Sequence, residues 1–281
     1  MQSNNHTTKP TVSPLHFFAL TFLLSWLIWI PLAISHFGVA FNIPESTSMI
    51  LRLFGVLMPA LSAVILTTLS GGRAALRNLL ARLFLWRVDW KWWLVAAAFQ
   101  PTLLVLAALI NNRISDSKVS PVQVGSAGAF VINVVMLLIA SLGEEIGWRG
   151  VALPGLQGKN SALKSSLILG LLWATWHIPF WLLLDTFDQF GMGYLFLNFL
   201  FVLPFTIYIT WIFNHSQQSI LLVVMIHLIF NIVNTALLPI TLNINAFLVF
   251  GVLEWAVIPL IIRHLEADKK PFALNFQQRT T

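Results

Sequence analysis

Ala127-Gly-Ala-Phe-Val-Ile-Asn-Val-Val-Met-Leu-Leu-Ile-Ala140 runs without a break into Ser141-Leu-Gly-Glu144-Glu145-Ile-Gly-Trp-Arg149-Gly150. The first part is apolar enough to lie in a bilayer, and the second then sets two carboxylates and a guanidinium in or near hydrocarbon. Charges there are costly, so each calls for a partner or a function. On a helix Glu145 and Arg149 are four apart with the acid nearer the N-terminus, the favourable order for attraction. Glu145 is therefore the expected structural partner of Arg149. Glu144 points about 100° away around the helix and is available to face a bundle interior. Gly143 and Gly147, also four apart, allow another helix to approach closely.

The rest of the chain fits that setting. Of 281 residues 58% are hydrophobic and 9% charged, which places the chain among polytopic membrane proteins rather than soluble domains. The absence of cysteine removes disulfides, thiolate metal sites and a cysteine nucleophile. A net charge of +6 could suggest a nucleic-acid partner, but the basic residues are scattered through short loops and form no clustered face.

Hydropathy predicts an all-α integral membrane protein, a bundle of about eight transmembrane helices. The expected spans are about 14–35, 49–70 with Pro59 as a kink, 93–110, the run ending at 141–150, 163–184, 194–213, 219–238 and 244–262. Residues 1–13 read as a disordered tail, 14–264 as a single membrane domain and 265–281 as a cytoplasmic tail. Residues 71–91 combine Arg73, Arg77, Arg82, Arg87 and Lys91 with Trp86, Trp90, Trp92 and Trp93, the pattern of a segment at the cytoplasmic interface. With both termini in the cytoplasm, only Arg52, Arg113 and Lys118 of the 16 Lys and Arg residues fall outside, the bias expected of a multi-pass protein of the cell membrane. Most Trp and Phe side chains read as lipid-facing bulk and interface anchors.

Further polar groups lie within the expected spans. His177 follows Trp173-Ala-Thr-Trp176 and precedes Pro179, which frees a carbonyl one turn earlier and bends the helix. His227 and Asn231 are four apart and share a face. With the stated topology Glu144, His177, His227 and Asn231 reach compatible depths, so one polar pocket opening toward the cytoplasm can collect all four. A poorly solvated carboxylate is a suitable general base for water, and a histidine beside it can hold the same water. A second histidine with an asparagine amide can donate to the oxyanion of an attacked peptide carbonyl. Glu144 and His177 fit the first pair of roles, His227 and Asn231 the second. The alternative is a water-activating zinc ion on Glu144, His177 and His227; asparagine is an uncommon zinc ligand, and this favours the version with no cofactor. Glu254, another acid inside an apolar span, stands between a structural hydrogen bond and a role in substrate or proton access.

Glu144-Glu145-x-x-x-Arg149, the following His177 and His227-x-x-x-Asn231 together resemble the three motifs of the CAAX prenyl protease and bacteriocin-processing family of intramembrane glutamate-dependent endopeptidases, also called the Abi family. The resemblance covers roughly residues 141–234. It implies Glu144 as catalytic glutamate, His177 as the histidine sharing its water, His227 and Asn231 as the oxyanion pair, and Glu145 with Arg149 in support. One departure is Trp173, where the family usually has phenylalanine. Peptidase chemistry is better supported by this label than removal of prenylated CAAX tails, because some members are linked to bacteriocin self-immunity or maturation.

Blander readings attach to each group alone: Glu145–Arg149 as an ion pair, His177 as an interhelical hydrogen bonder, His227 with Asn231 as polar glue. Their joint occurrence favours an intramembrane endopeptidase acting on a membrane-anchored peptide or protein substrate. A non-catalytic scaffold or immunity protein of the same fold is the alternative, and a secondary transporter a weaker one, since paired repeats are not seen. The chain also lacks the His-Glu-x-x-His, Gly-x-Ser-Gly and Gly-x-Gly-Asp motifs of other intramembrane proteases.

Overall fold

Long apolar runs with few breakers leave the backbone only one way to satisfy its polar groups in lipid, which is to form helices. The computed structural model describes residues 12–39, 42–121 and 126–267, and every regular element among them is helical. The helices are α1 (Pro14–His36), α2 (Glu45–Ala81), α3 (Trp90–Ile114), α4 (Ala127–Gly147), α5 (Leu153–Gln157), α6 (Ala162–Trp181), α7 (Asp185–Phe190), α8 (Met192–His215), α9 (Ile220–Asn231) and α10 (Ile244–Ala267). A π-helical turn, Trp148–Ala152, joins α4 to α5, and a second, Ile232–Leu237, follows α9. Of the expected tails, residues 1–11 and 268–281 lie outside the described residues, whereas 265–267 complete α10.

Six helical stretches are long and apolar enough to cross a membrane: α1, α2, α3, α4 through α5, α8 and α10. The two other predicted spans fall short of that measure for a physical reason. Helix α6 carries Lys164, Ser165, Ser166, Thr175 and His177, and α9 has only 12 α-helical residues before its π turn. Both are helices that bring polar side chains to the interior. Pro59 lies inside α2. The non-helical position within α2 is Gly72, at φ 63° and ψ −164°, a conformation glycine adopts without steric cost.

Helix α8 is the axis of the bundle, with 72% of its apolar window buried, against 17% for α4 through α5. On α8, Phe201 stacks on Phe230 of α9 at 4.9 Å between ring centroids, and Phe205 meets the same ring tilted, at 5.1 Å. Helix α4 changes character along its length. Val131, Ile132, Val135 and Met136 are exposed in the manner of lipid-facing residues, while Ser141, Gly143, Glu144, Glu145 and Gly147 are buried. Gly143 and Gly147 face α2 as their spacing predicted: a Cβ on Gly147 would come within 2.6 Å of Pro59 Cβ. That backbone approach seats the charged end of α4 in the bundle.

Helix α1 ties α2 and α6 together. Ser25 Oγ donates to the Gly55 carbonyl at 2.9 Å, and Trp26 Nε1 donates to the Trp176 carbonyl at 3.0 Å. The three helices that carry the candidate site each start at a serine whose Oγ accepts a backbone N–H three residues on: Ser126 from Ala129, Ser161 from Lys164 and Ser219 from Leu222. Such caps fix where a helix begins and so the rotation of every side chain after it. The tryptophans depart from the expectation of lipid-facing bulk. Trp86 and Trp90 are exposed, but Trp29, Trp148, Trp173, Trp176 and Trp181 are buried around the site-bearing helices.

Candidate active site

Glu144, on the last turn of α4, is 5% exposed. Its Oε2 accepts a hydrogen bond from Trp173 Nε1 of α6 at 2.6 Å, and His177 Nε2 lies 3.7 Å from the same oxygen. That distance exceeds a direct hydrogen bond. His177 Nδ1 lies 3.0 Å from the Trp173 carbonyl, one turn back on α6. A carbonyl oxygen only accepts, so Nδ1 carries a proton, and in the neutral form of the ring Nε2 presents its lone pair to Glu144. Trp181 stacks on the imidazole at 5.2 Å and 7° between planes, holding the ring's orientation from the other side.

Glu145 points elsewhere. Its Oε1 accepts from Arg149 Nη1 and from His227 Nδ1, each at 2.9 Å. The pairing with Arg149 was legible in the spacing; the contact with His227 was not. The side chains of Glu145 and Arg149 have no exposure, so each needs the other to remain charged. Among the described residues Glu145 Oε2 and Arg149 Nε and Nη2 find no hydrogen-bond partner. The guanidinium instead lies over the Trp173 ring, 4.5 Å from its centroid, where the π face offers partial compensation. His227 meets the same indole edge-on at 5.6 Å.

The predicted residues are thus divided into two touching clusters, Glu144 with His177 and Glu145 with Arg149 and His227, with Trp173 between them. Asn231 lies one turn beyond His227 and is half-buried, its carbonyl accepting from Thr235 Oγ1 at 2.6 Å. No hydrogen bond among the described residues joins its side chain to Glu144, His177 or His227. Of the alternative zinc ligands, His227 uses Nδ1 toward Glu145 and Glu144 uses Oε2 toward Trp173. No group of three or more His, Asp or Glu side chains suited to a metal occurs among the described residues.

Two contributors were missed in the sequence. Trp173 stood out only as a departure from the family's phenylalanine, although its four-residue offset from His177 places both on one face. Arg82 was counted among interfacial cations, but it is buried and donates to three carbonyls at 3.1 Å: Arg149 from Nη2, Gly150 from Nη1 and Gln218 from Nε. The π turn leaves carbonyls outside the α-helical ladder, and Arg82 supplies donors for two of them while joining that turn to the α8–α9 loop.

The segment that carries these side chains is similar to known proteins. Residues 126–233, which contain both clusters, match the family of Rce1-like type II CAAX prenyl endopeptidases. The chain is also similar to CAAX prenyl protease 2 of Methanococcus maripaludis, with 28% identity over 273 residues that cover 92% of this chain and 96% of that protein. The motif-bearing segment and the near full-length similarity thus both relate this chain to CAAX prenyl proteases.

Proposed function

We propose that the chain is an intramembrane endopeptidase that hydrolyses a peptide bond near the cytoplasmic membrane face, with Glu144 as general base and His177 as its partner in holding water. The observation that carries this reading is the facing pair Glu144 Oε2 and His177 Nε2, 3.7 Å apart on separate helices at the edge of a buried site. Both present lone pairs, so a water hydrogen-bonded to both directs its protons at them and its own lone pair outward. Attack forms a carbon–oxygen bond to the scissile carbonyl, and Glu144 takes the proton. The tetrahedral intermediate then expels the amine as the carbon–nitrogen bond breaks, and the proton returns from Glu144 to that nitrogen.

His227 and Asn231 are assigned to the oxyanion. Since His227 uses Nδ1 toward Glu145 at 2.9 Å, donation from Nε2 requires the imidazolium. Glu145 and Arg149 hold this second cluster in place. No step is assigned to a metal. The substrate class is a membrane-associated peptide or protein, and the relative's name makes prenylated CAAX-type chains the first candidates.

The test is cleavage of membrane-anchored peptides, prenylated and not, by purified protein in lipid nanodiscs, with and without a chelator. Turnover that survives chelation and is lost in Glu144→Gln is expected. Turnover lost to chelation and restored by zinc would overturn the metal-free mechanism, and an unimpaired Glu144→Gln would overturn the role of Glu144.

A further inference from the structure

We propose that Trp173 is a positioning residue for the water-activating pair, its indole N–H orienting the Glu144 carboxylate while its main-chain carbonyl orients His177. The proposal rests on the reading of Glu144 as base. One residue touches both partners through different groups: Nε1 donates to Glu144 Oε2 at 2.6 Å, and the carbonyl accepts from His177 Nδ1 at 3.0 Å.

The indole is well suited to fix an orientation. It is 2% exposed and stacks on Phe205 at 6.0 Å and 24°. Its opposite demand is met by the Arg149 guanidinium, 4.5 Å from the ring centroid. A ring held on these sides cannot swing, so its single donor defines where Oε2 sits. With Oε2 engaged, the carboxylate cannot rotate about its terminal torsion, which is otherwise broad. Oε1 and the remaining lone pair of Oε2 then keep a constant relation to His177 Nε2. A phenyl ring at 173 would keep an aromatic face under Arg149 in a smaller volume and supply no N–H, whereas the sulfur analogue of the indole keeps the volume as well. The second cluster therefore bears on the first through this ring: Glu145 and His227 place Arg149, and Arg149 lies over the indole that holds Glu144.

The test separates orientation from packing. Trp173→Phe, and replacement of Trp173 by benzothienylalanine, which substitutes sulfur for the indole N–H, are assayed in nanodiscs beside the parent chain. The expected result is a fall in kcat of about ten- to a hundredfold, the size of a lost charge-assisted hydrogen bond, with KM changed by less than about twofold. Independently of activity, protein labelled with 15N at the indoles should show one N–H resonance that disappears in Trp173→Phe and shifts in Glu144→Gln. Parent-like kcat in either substituted chain overturns the positioning role, as does an indole resonance indifferent to Glu144→Gln. If both replacements unfold the protein, Trp173 belongs to packing and the proposal is overturned. Retained turnover in Glu144→Gln instead overturns the underlying catalytic reading, whatever the resonance does.

Discussion

Glu144 and Glu254 are both buried acids on apolar helices, yet their neighbours differ in kind. Glu254 Oε1, on α10, accepts from Gln100 Nε2 of α3 at 2.8 Å, and both residues are almost fully enclosed. Nearby Tyr208 spends its hydroxyl on the Val95 carbonyl at 3.2 Å. This is an acid facing an amide, a contact that fastens α3 to α10. Glu144 instead shares a small volume with an indole donor, a lone-pair-bearing imidazole and, through Trp173, a buried guanidinium. Burial alone does not mark a reactive acid. What distinguishes the two is whether the neighbours leave lone pairs aimed at a common point.

Substitutions can break that contrast or sharpen it. Glu144→Gln keeps the shape and removes the proposed base, and turnover is expected to fall roughly 10²–10⁴-fold in the nanodisc peptide assay; an acid there no more important than Glu254 would show no such fall. Arg149→Met strands the Glu145 charge in a site without exposure and is expected to destabilise the protein by about 3–5 kcal/mol, measured by thermal or denaturant unfolding in lipid. Parent-like stability would mean that the pair is dispensable. His177→Ala removes one of the two proposed water contacts while Glu144 and Trp173 stay paired, so a smaller loss of about 10–10²-fold in kcat is expected by the same assay. At the other acid, Glu254→Gln leaves a side chain that can still accept from Gln100. A stability change under about 1 kcal/mol and unaltered turnover are expected. Loss of turnover there would place Glu254 in substrate or proton access and erase the distinction.

Much of the second cluster was legible because it is local. Glu145 and Arg149 lie one turn apart on a single helix, and helical geometry alone predicts their contact. The Gly143–Gly147 approach to α2 was legible for the same reason. The approach of Glu144 to His177 needs two helices at one depth, and there the resemblance of motifs carried more than periodicity did. That His227 turns to Glu145 rather than to Glu144 depends on the rotation of α9 against α4, which no one-dimensional pattern encodes. Arg82 was misread because a basic residue beside tryptophans looks interfacial; its burial follows from carbonyls that a π turn releases, and that turn has no sequence signature. The span count differed because α6 and α9 trade apolar length for the polar side chains they carry.

The π turn at Trp148–Ala152 also sets a rule for chain length. It holds one residue more than an α-helix would need over the same rise, so excising a single residue there would restore regular winding and rotate everything downstream by about 100°. The carbonyls gripped by Arg82 would swing off their donor, and α5 would leave its seat. A one-residue deletion series through 143–161 should therefore find the turn intolerant, while the loop after Gln157 absorbs such losses; folded yield in detergent reads the difference directly.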